Sequence, residues 1–278
     1  MKIRAGFKFL CVLLFITITA IVTLFLMVLR FNFDALIQPP IDFLKPTQSV
    51  FYSYKSAELD ELTLRRYGED KQSCVIFFPG RSGAITSYEK SLFPLFTESG
   101  LQVFALSYPG QDGNLGKLKL TVLLEQVEYA LEHISHFCLK NTTVFVGRSL
   151  GATVAVLAAQ KWQPKCVLLE GVSVDLASVI SAKVTEHKTF QNLFYSFIKY
   201  ILQNNFEINR PLLDYLSKGG KGIIFHGELD NVTPFSSLKS RLIQHPNLKL
   251  FVVEGANHSN TYLKAKPHYI EILKQSVN

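Results

Sequence analysis

The residues with the clearest capacity for chemistry are Gly147-Arg148-Ser149-Leu150-Gly151, a G-x-S-x-G pentapeptide. Between a strand and a helix, this spacing makes a sharp turn that lifts a serine hydroxyl clear of the backbone, and the glycines let the following helix pack closely. The flanks fit that context: Thr143–Gly147 (TVFVG) reads as a strand, and Gly151-Ala152-Thr153-Val154-Ala155 opens a helix of small side chains. A helix N-terminus also presents backbone N–H groups beside the serine, where a developing oxyanion can use them. The chemistry predicted is nucleophilic attack by Ser149 on a carbonyl.

Serine is a weak nucleophile on its own and needs a base that is oriented in turn by an acid. Asp230 lies just past the predicted strand GIIFHG (222–227), in HGELDNVTP, and His258 lies just past LKLFVVEG (248–255), in EGANHSN. Taken singly, one is an ordinary turn former and the other a surface-loop histidine. Placed after consecutive strands, in the order Ser, Asp, His, they form a candidate triad. His226 reads as a strand-end packing or hydrogen-bonding residue, and His187, His245 and His268 fall outside the strand-end pattern. A second oxyanion donor is expected after the earlier strand VIFFPG, in Pro79-Gly80-Arg81-Ser82-Gly83, so the backbone N–H groups of Arg81 and Leu150 are the predicted pair. Ser82 lacks the strand-turn-helix context and reads as loop structure.

These positions require elements to hold them. Short β-branched or aromatic runs at 75–80, 103–110, 143–147 and 166–171 alternate with helical periods near 87–98, 117–138 and 150–161. Such alternation implies βαβ units and a mostly parallel sheet with helices on both faces. Leu62–Tyr67 reads as a solvent-edged strand ahead of them. The rhythm breaks at 172–217, a helix-like segment rich in Phe and Tyr (Phe190, Phe194, Tyr195, Phe197, Tyr200). It resumes with strands at 222–227 and 248–255 and helices near 235–244 and 260–275. The expectation is one α/β domain over 61–278, interrupted by an insertion at 172–217.

From about residue 60 to 275 the chain resembles a serine hydrolase of the α/β-hydrolase fold, on PGRSG, GRSLG, HGELDNVTP and GANHSN, with SYPGQDGNLG similar to the loop after the family's fourth strand. It departs in having Pro79-Gly80 where many members have His-Gly, and Tyr108-Pro109-Gly110 where many read Tyr-Arg-Gly. The resemblance implies acyl transfer to water on a carboxylic ester or thioester. Ser149 attacks, His258 carries the proton, Asp230 holds the imidazole, and no metal or organic cofactor is needed. A peptidase on the same triad and a non-catalytic hydrolase-fold binding protein are the alternatives. The insertion takes the position of a helical cap. Its aromatic residues either line an acyl-binding pocket or, as Phe194, Phe197 and Ile201 at helical spacing, pack the cap onto the core.

Ahead of this domain, Phe9–Leu29 is an uncharged run of 21 residues. A helix of that length spans about 30 Å, the thickness of a bilayer core. It exceeds the roughly 7–15 residues of a signal h-region, and Ala20 with Ile18 before it makes a poor cleavage site. The sequence therefore predicts a basic cytoplasmic N-terminus (1–8), a transmembrane anchor (9–29), and a Pro-interrupted connector (30–60). Lys2, Arg4 and Lys8 precede the run and mixed charges follow it, which puts the catalytic domain on the opposite side of the membrane. With this anchor the chain is similar to the single-pass, membrane-anchored abhydrolase-domain proteins, and a small-molecule, lipid or acylated substrate near the interface is the expected partner.

Composition narrows the rest. Over 278 residues, 29 basic minus 22 acidic groups give +7, of which the N-terminal three leave +4 without clustering, so no nucleic-acid footprint is expected. With 48% hydrophobic and 18% charged residues the chain is too apolar for disorder. Cys11 belongs to the anchor, and Cys74, Cys138 and Cys166 allow a disulfide without specifying one. No metal-ligand spacing accompanies them, His133 and His136 included. Of the N-x-[ST] sequons at Asn141, Asn231 and Asn257, the last two flank Asp230 and His258 and are expected to stay unmodified.

Overall fold

The β-branched and aromatic runs become strands because the inner ones can be buried on both faces, and the sheet they build is mostly parallel. The computed structural model of the chain describes residues 2–31, 46–56, 60–184, 188–202 and 205–277. Its strands are β1 (Tyr52–Lys55), β2 (Glu61–Tyr67), β3 (Cys74–Phe78), β4 (Gln102–Ser107), β5 (Val144–Arg148), β6 (Cys166–Glu170), β7 (Lys221–Gly227) and β8 (Leu248–Val253). They lie in the order β1-β2-β4-β3-β5-β6-β7-β8. From β4 through β8 all neighbours pair in parallel, and β2 runs antiparallel to both β1 and β4.

The period of two along each strand divides the core between the two faces. Ile76, Phe78, Phe104, Phe145 and Leu169 pack on one side against α4 (Leu120–Ile134), α5 (Leu150–Trp162) and α8 (Asn209–Ser217). Val75, Phe77, Val103, Val146 and Leu168 pack on the other against α2 (Thr86–Glu89), α3 (Phe93–Glu98) and α10 (Thr261–Val277). The remaining helices are α1 (Lys2–Phe31), α6 (Leu176–Val184), α7 (Lys188–Ile201) and α9 (Phe235–Arg241).

Three details differ from the sequence expectation. The helix expected over 87–98 is two short ones, and Pro94 sits in the first turn of the second, where its missing N–H costs no helical bond. The connector contains a strand, β1, whose four residues pair with β2, so β2 lies inside the sheet and is mostly buried instead of solvent-edged; so short a segment as β1 carries too little periodicity to be read alone. At the far end of the insertion, α8 lies on the core and not above the site: Leu212, Tyr215 and Leu216 are buried, and the Tyr215 hydroxyl donates to the Pro164 carbonyl at 3.0 Å.

Cys74 and Cys138 are joined by a disulfide that ties the start of β3 to the segment after α4, while Cys166, buried in β6, is not part of that bond. α1 is a 30-residue helix, and its large apolar side chains between Val12 and Val28 are mostly exposed. Among the described residues no helix is long and apolar enough to cross a membrane. The predicted anchor, 9–29, extends at both ends past the side chains that are described, and most of the connector and His187 lie outside the described residues.

Candidate active site

Ser149 sits at the turn between β5 and α5 with φ 52° and ψ −119°, a conformation that side-chain-bearing residues rarely adopt. The turn is held by main-chain bonds. The Ser149 N–H donates to the Glu170 carbonyl at 2.8 Å, and the Ala152 N–H donates to the Ser149 carbonyl at 3.0 Å. Only glycine fits at 151, since an added Cβ would lie 2.0 Å from the Phe78 carbonyl oxygen.

The structure brings the other two predicted residues to this serine. His258 Nε2 lies 3.0 Å from Ser149 Oγ, and His258 Nδ1 lies 2.8 Å from Asp230 Oδ2. Carboxylate on one side and hydroxyl on the other fix the roles: Nδ1–H donates to Asp230, and Nε2 accepts from Ser149. The Asp230 side chain is fully buried, whereas that of His258 is 19% exposed, so the carboxylate is shielded and the imidazole is open to solvent.

The Asp230 carboxylate is saturated. Oδ1 accepts the backbone N–H groups of Val232 (2.9 Å) and Thr233 (2.8 Å), and Oδ2 accepts the Thr233 hydroxyl (2.8 Å) besides His258. Burial pushes this carboxyl up, but the hydrogen bond and charge of His258 and the Thr233 donors more than offset it, leaving the group below the usual carboxylate range. His226 is also buried here, its Nε2–H donating to the Thr233 carbonyl at 2.6 Å. Burial lowers its pKa against the pull of Asp230, so the ring is held neutral.

The loop after β3 passes directly against Ser149: a Cβ on Gly80 would sit 3.3 Å from the Ser149 Cβ. Arg81 follows it, and Leu150 occupies the first position of α5, where the N–H has no acceptor within the helix. This loop is clamped from the segment after β4. The buried Gln111 amide donates to the carbonyls of Gly80 (2.9 Å) and Arg81 (3.0 Å), and the Asp112 carboxylate accepts the Ile85 N–H (3.1 Å) and the Ser107 hydroxyl (2.6 Å).

Sequence reasoning missed Thr233, Gln111, Arg148 and Glu170. Thr233 had a legible signal in its place three residues after Asp230, but the others act across strands. In the cap, Tyr195 donates its hydroxyl to Asp175 at 2.7 Å and stacks on Arg241, with the guanidinium 3.7 Å from the ring centre. Phe197 and Tyr200 are 45% and 81% exposed and so are not packed into the core, Phe194 is half-buried, and the side chains of Phe190 and Ile201 lie outside those described. The α7 stripe that Phe197 and Tyr200 share turns outward.

No family model and no curated protein matches the chain by sequence. Solved structures do match in shape. An esterase of Pyrococcus furiosus, Pf2001, is 14% identical with a TM-score of 0.64, over 86% of this chain and 96% of its own. Carboxyl esterase 2 of the mycorrhizal fungus Tuber melanosporum is 20% identical with a TM-score of 0.58, over 86% and 90%. An alpha-beta hydrolase of Vibrio vulnificus is 11% identical with a TM-score of 0.62, over 81% and 79%. With its strand order and its strand-turn-helix serine, this likeness shows that the chain has the α/β-hydrolase fold.

Proposed function

We propose that the chain is a membrane-anchored serine hydrolase that cleaves a carboxylic ester or thioester through Ser149, His258 and Asp230. The observation that carries this is the continuous chain from Ser149 Oγ through His258 to Asp230, at 3.0 and 2.8 Å, on a serine in the strained conformation of a nucleophile turn. His258 takes the serine proton as Oγ attacks the carbonyl carbon, and Asp230 stabilises the imidazolium. The oxyanion is received by the N–H groups of Arg81 and Leu150. His258 then returns the proton to the leaving group, and water activated by the same imidazole releases the acid from the acyl-enzyme. That the fold's solved relatives include esterases supports an ester over a peptide bond.

In the same proposal α1 anchors the chain, with the hydrolase domain on the side opposite the basic N-terminus. The exposed apolar surface of α1 supports this, since such a helix is unfavourable in water, as does the disulfide, which belongs to an oxidising compartment. A lipid or acylated substrate follows from tethering the site near the interface.

Labelling by a fluorophosphonate and hydrolysis of a small activated ester test the chemistry. Wild type reacts in both assays and Ser149→Ala in neither; an equally reactive S149A, or an inert wild type, overturns the assignment in favour of another nucleophile or a binding protein. Reporter fusions at the two ends test the topology, and a cytoplasmic C-terminus would refute it.

A further inference from the structure

Arg148, the first of the two variable residues of the G-x-S-x-G turn, is 11% exposed and has a partner in each direction. Its Nε donates to Glu170 Oε1 at 3.0 Å, Nη1 to the Tyr88 hydroxyl at 2.5 Å, and Nη2 to the main-chain carbonyl of His258 at 3.2 Å. The guanidinium also lies over the ring of Tyr262, 4.5 Å from its centre. Glu170, 1% exposed, is a second junction. Oε1 also accepts the Tyr262 N–H at 3.0 Å, Oε2 accepts the Tyr269 hydroxyl at 2.6 Å, and its main-chain carbonyl holds the Ser149 N–H at 2.8 Å.

These bonds connect what the reaction must keep aligned. Ser149 is fixed by a turn between regular elements, but His258 stands in the Asn257–Asn260 loop between β8 and α10, with no ladder of its own. Arg148 is covalently next to the nucleophile and grips the carbonyl of the base itself, while Glu170 seats the start of the helix that follows the base. We propose that the Arg148–Glu170 ion pair is a positioning device that sets the Ser149 Oγ to His258 Nε2 distance. Neither side chain touches the reacting atoms. An apolar pair of similar volume would serve packing at least as well, because burying two charges costs desolvation. What the charged pair adds is directional bonds at fixed points, and lysine cannot reproduce the guanidinium's divergent donors.

The inference rests on the serine-hydrolase reading, and its test separates the two. Arg148→Lys and the doubly neutral R148M/E170Q are purified with wild type and S149A, and folded fraction is measured by circular dichroism and thermal denaturation. R148M/E170Q leaves no unpaired buried charge, and R148K is the second variant should the first fold poorly. Expected for folded protein is an unchanged KM for a small activated ester, with kcat and the fluorophosphonate labelling rate both lowered about 10–100-fold, the scale of a misplacement near 1 Å. Wild-type kcat and labelling rate per folded molecule in both variants would overturn the positioning role and leave the hydrolase reading intact. A wild type that is not labelled would instead overturn the hydrolase reading.

Discussion

Gly171 lies against the imidazole of His258. A Cβ added there would stand 3.0 Å from Cε1 and 3.1 Å from Nδ1, and the backbone sits at φ +56°. The residue after β6 is therefore the seat on which the His258 ring rests, and its missing side chain is what lets the ring lie between Asp230 and Ser149. Gly171→Ala should lower stability by about 1–2 kcal/mol through the left-handed backbone alone. It should also lower kcat by about 10–100-fold by displacing the ring. Urea denaturation and steady-state kinetics on the same preparation check both, and a G171A enzyme with undiminished kcat would remove the seat from the argument.

The clamp of Gln111 on the Gly80 and Arg81 carbonyls predicts a defect in transition-state stabilisation and not in binding. Gln111→Met keeps the volume and loses both donors, freeing the loop that carries the Arg81 N–H. Loss of one oxyanion donor costs about 100–1000-fold in kcat, and loosening one should cost less, about 10-fold or more, with KM little changed. If KM rises while kcat holds, the loop serves substrate binding.

Stability should fall with acidity in two stages. His226 is neutral and buried, with a pKa depressed in the folded state despite the opposing charges of Asp230 and Glu170, so protons bind the unfolded chain first as pH drops below about 6.5. Its share of stability is complete above that value and is lost toward its lower folded value. Asp230, also depressed, contributes stability above its unfolded value of about 3.9 that is lost as pH falls through its folded one. Chemical denaturation from pH 8 to 3 should therefore show a decline starting near 6.5 that His226→Gln removes; an unchanged decline in H226Q would assign it elsewhere.

The disulfide closes a sequence separation of 64 residues, and by loop entropy alone its loss should cost about 4 kcal/mol. Under denaturing conditions, reduction should expose two additional maleimide-reactive thiols, and Cys138→Ser should melt at a lower temperature than wild type. An identical thiol count before and after reduction would show that the bond does not form in the protein as made, and would withdraw its support for an oxidising compartment.

Ser149, Asp230 and His258 were legible in the sequence because each follows a strand whose hydrophobic run is unmistakable, and the chemistry of the turn demands residues of those types in that order. The parallel sheet was legible for the same reason, from local periodicity. Arg148 and Glu170 were not, because their pairing depends on β5 and β6 being neighbours with those two residues in register, and strand order is a property of the packed sheet. The clamp of Gln111 on the loop after β3 likewise needs β4 beside β3, and the choice of Cys138 over Cys166 as partner of Cys74 needs the helix before it laid on the sheet. In the cap, helical spacing alone cannot say which stripe of α7 faces inward, and the structure turns Phe197 and Tyr200 to the outside. Local pattern thus marked Ser149, Asp230 and His258 as candidates, and contacts between segments distant in sequence decided what brings them together and holds them there.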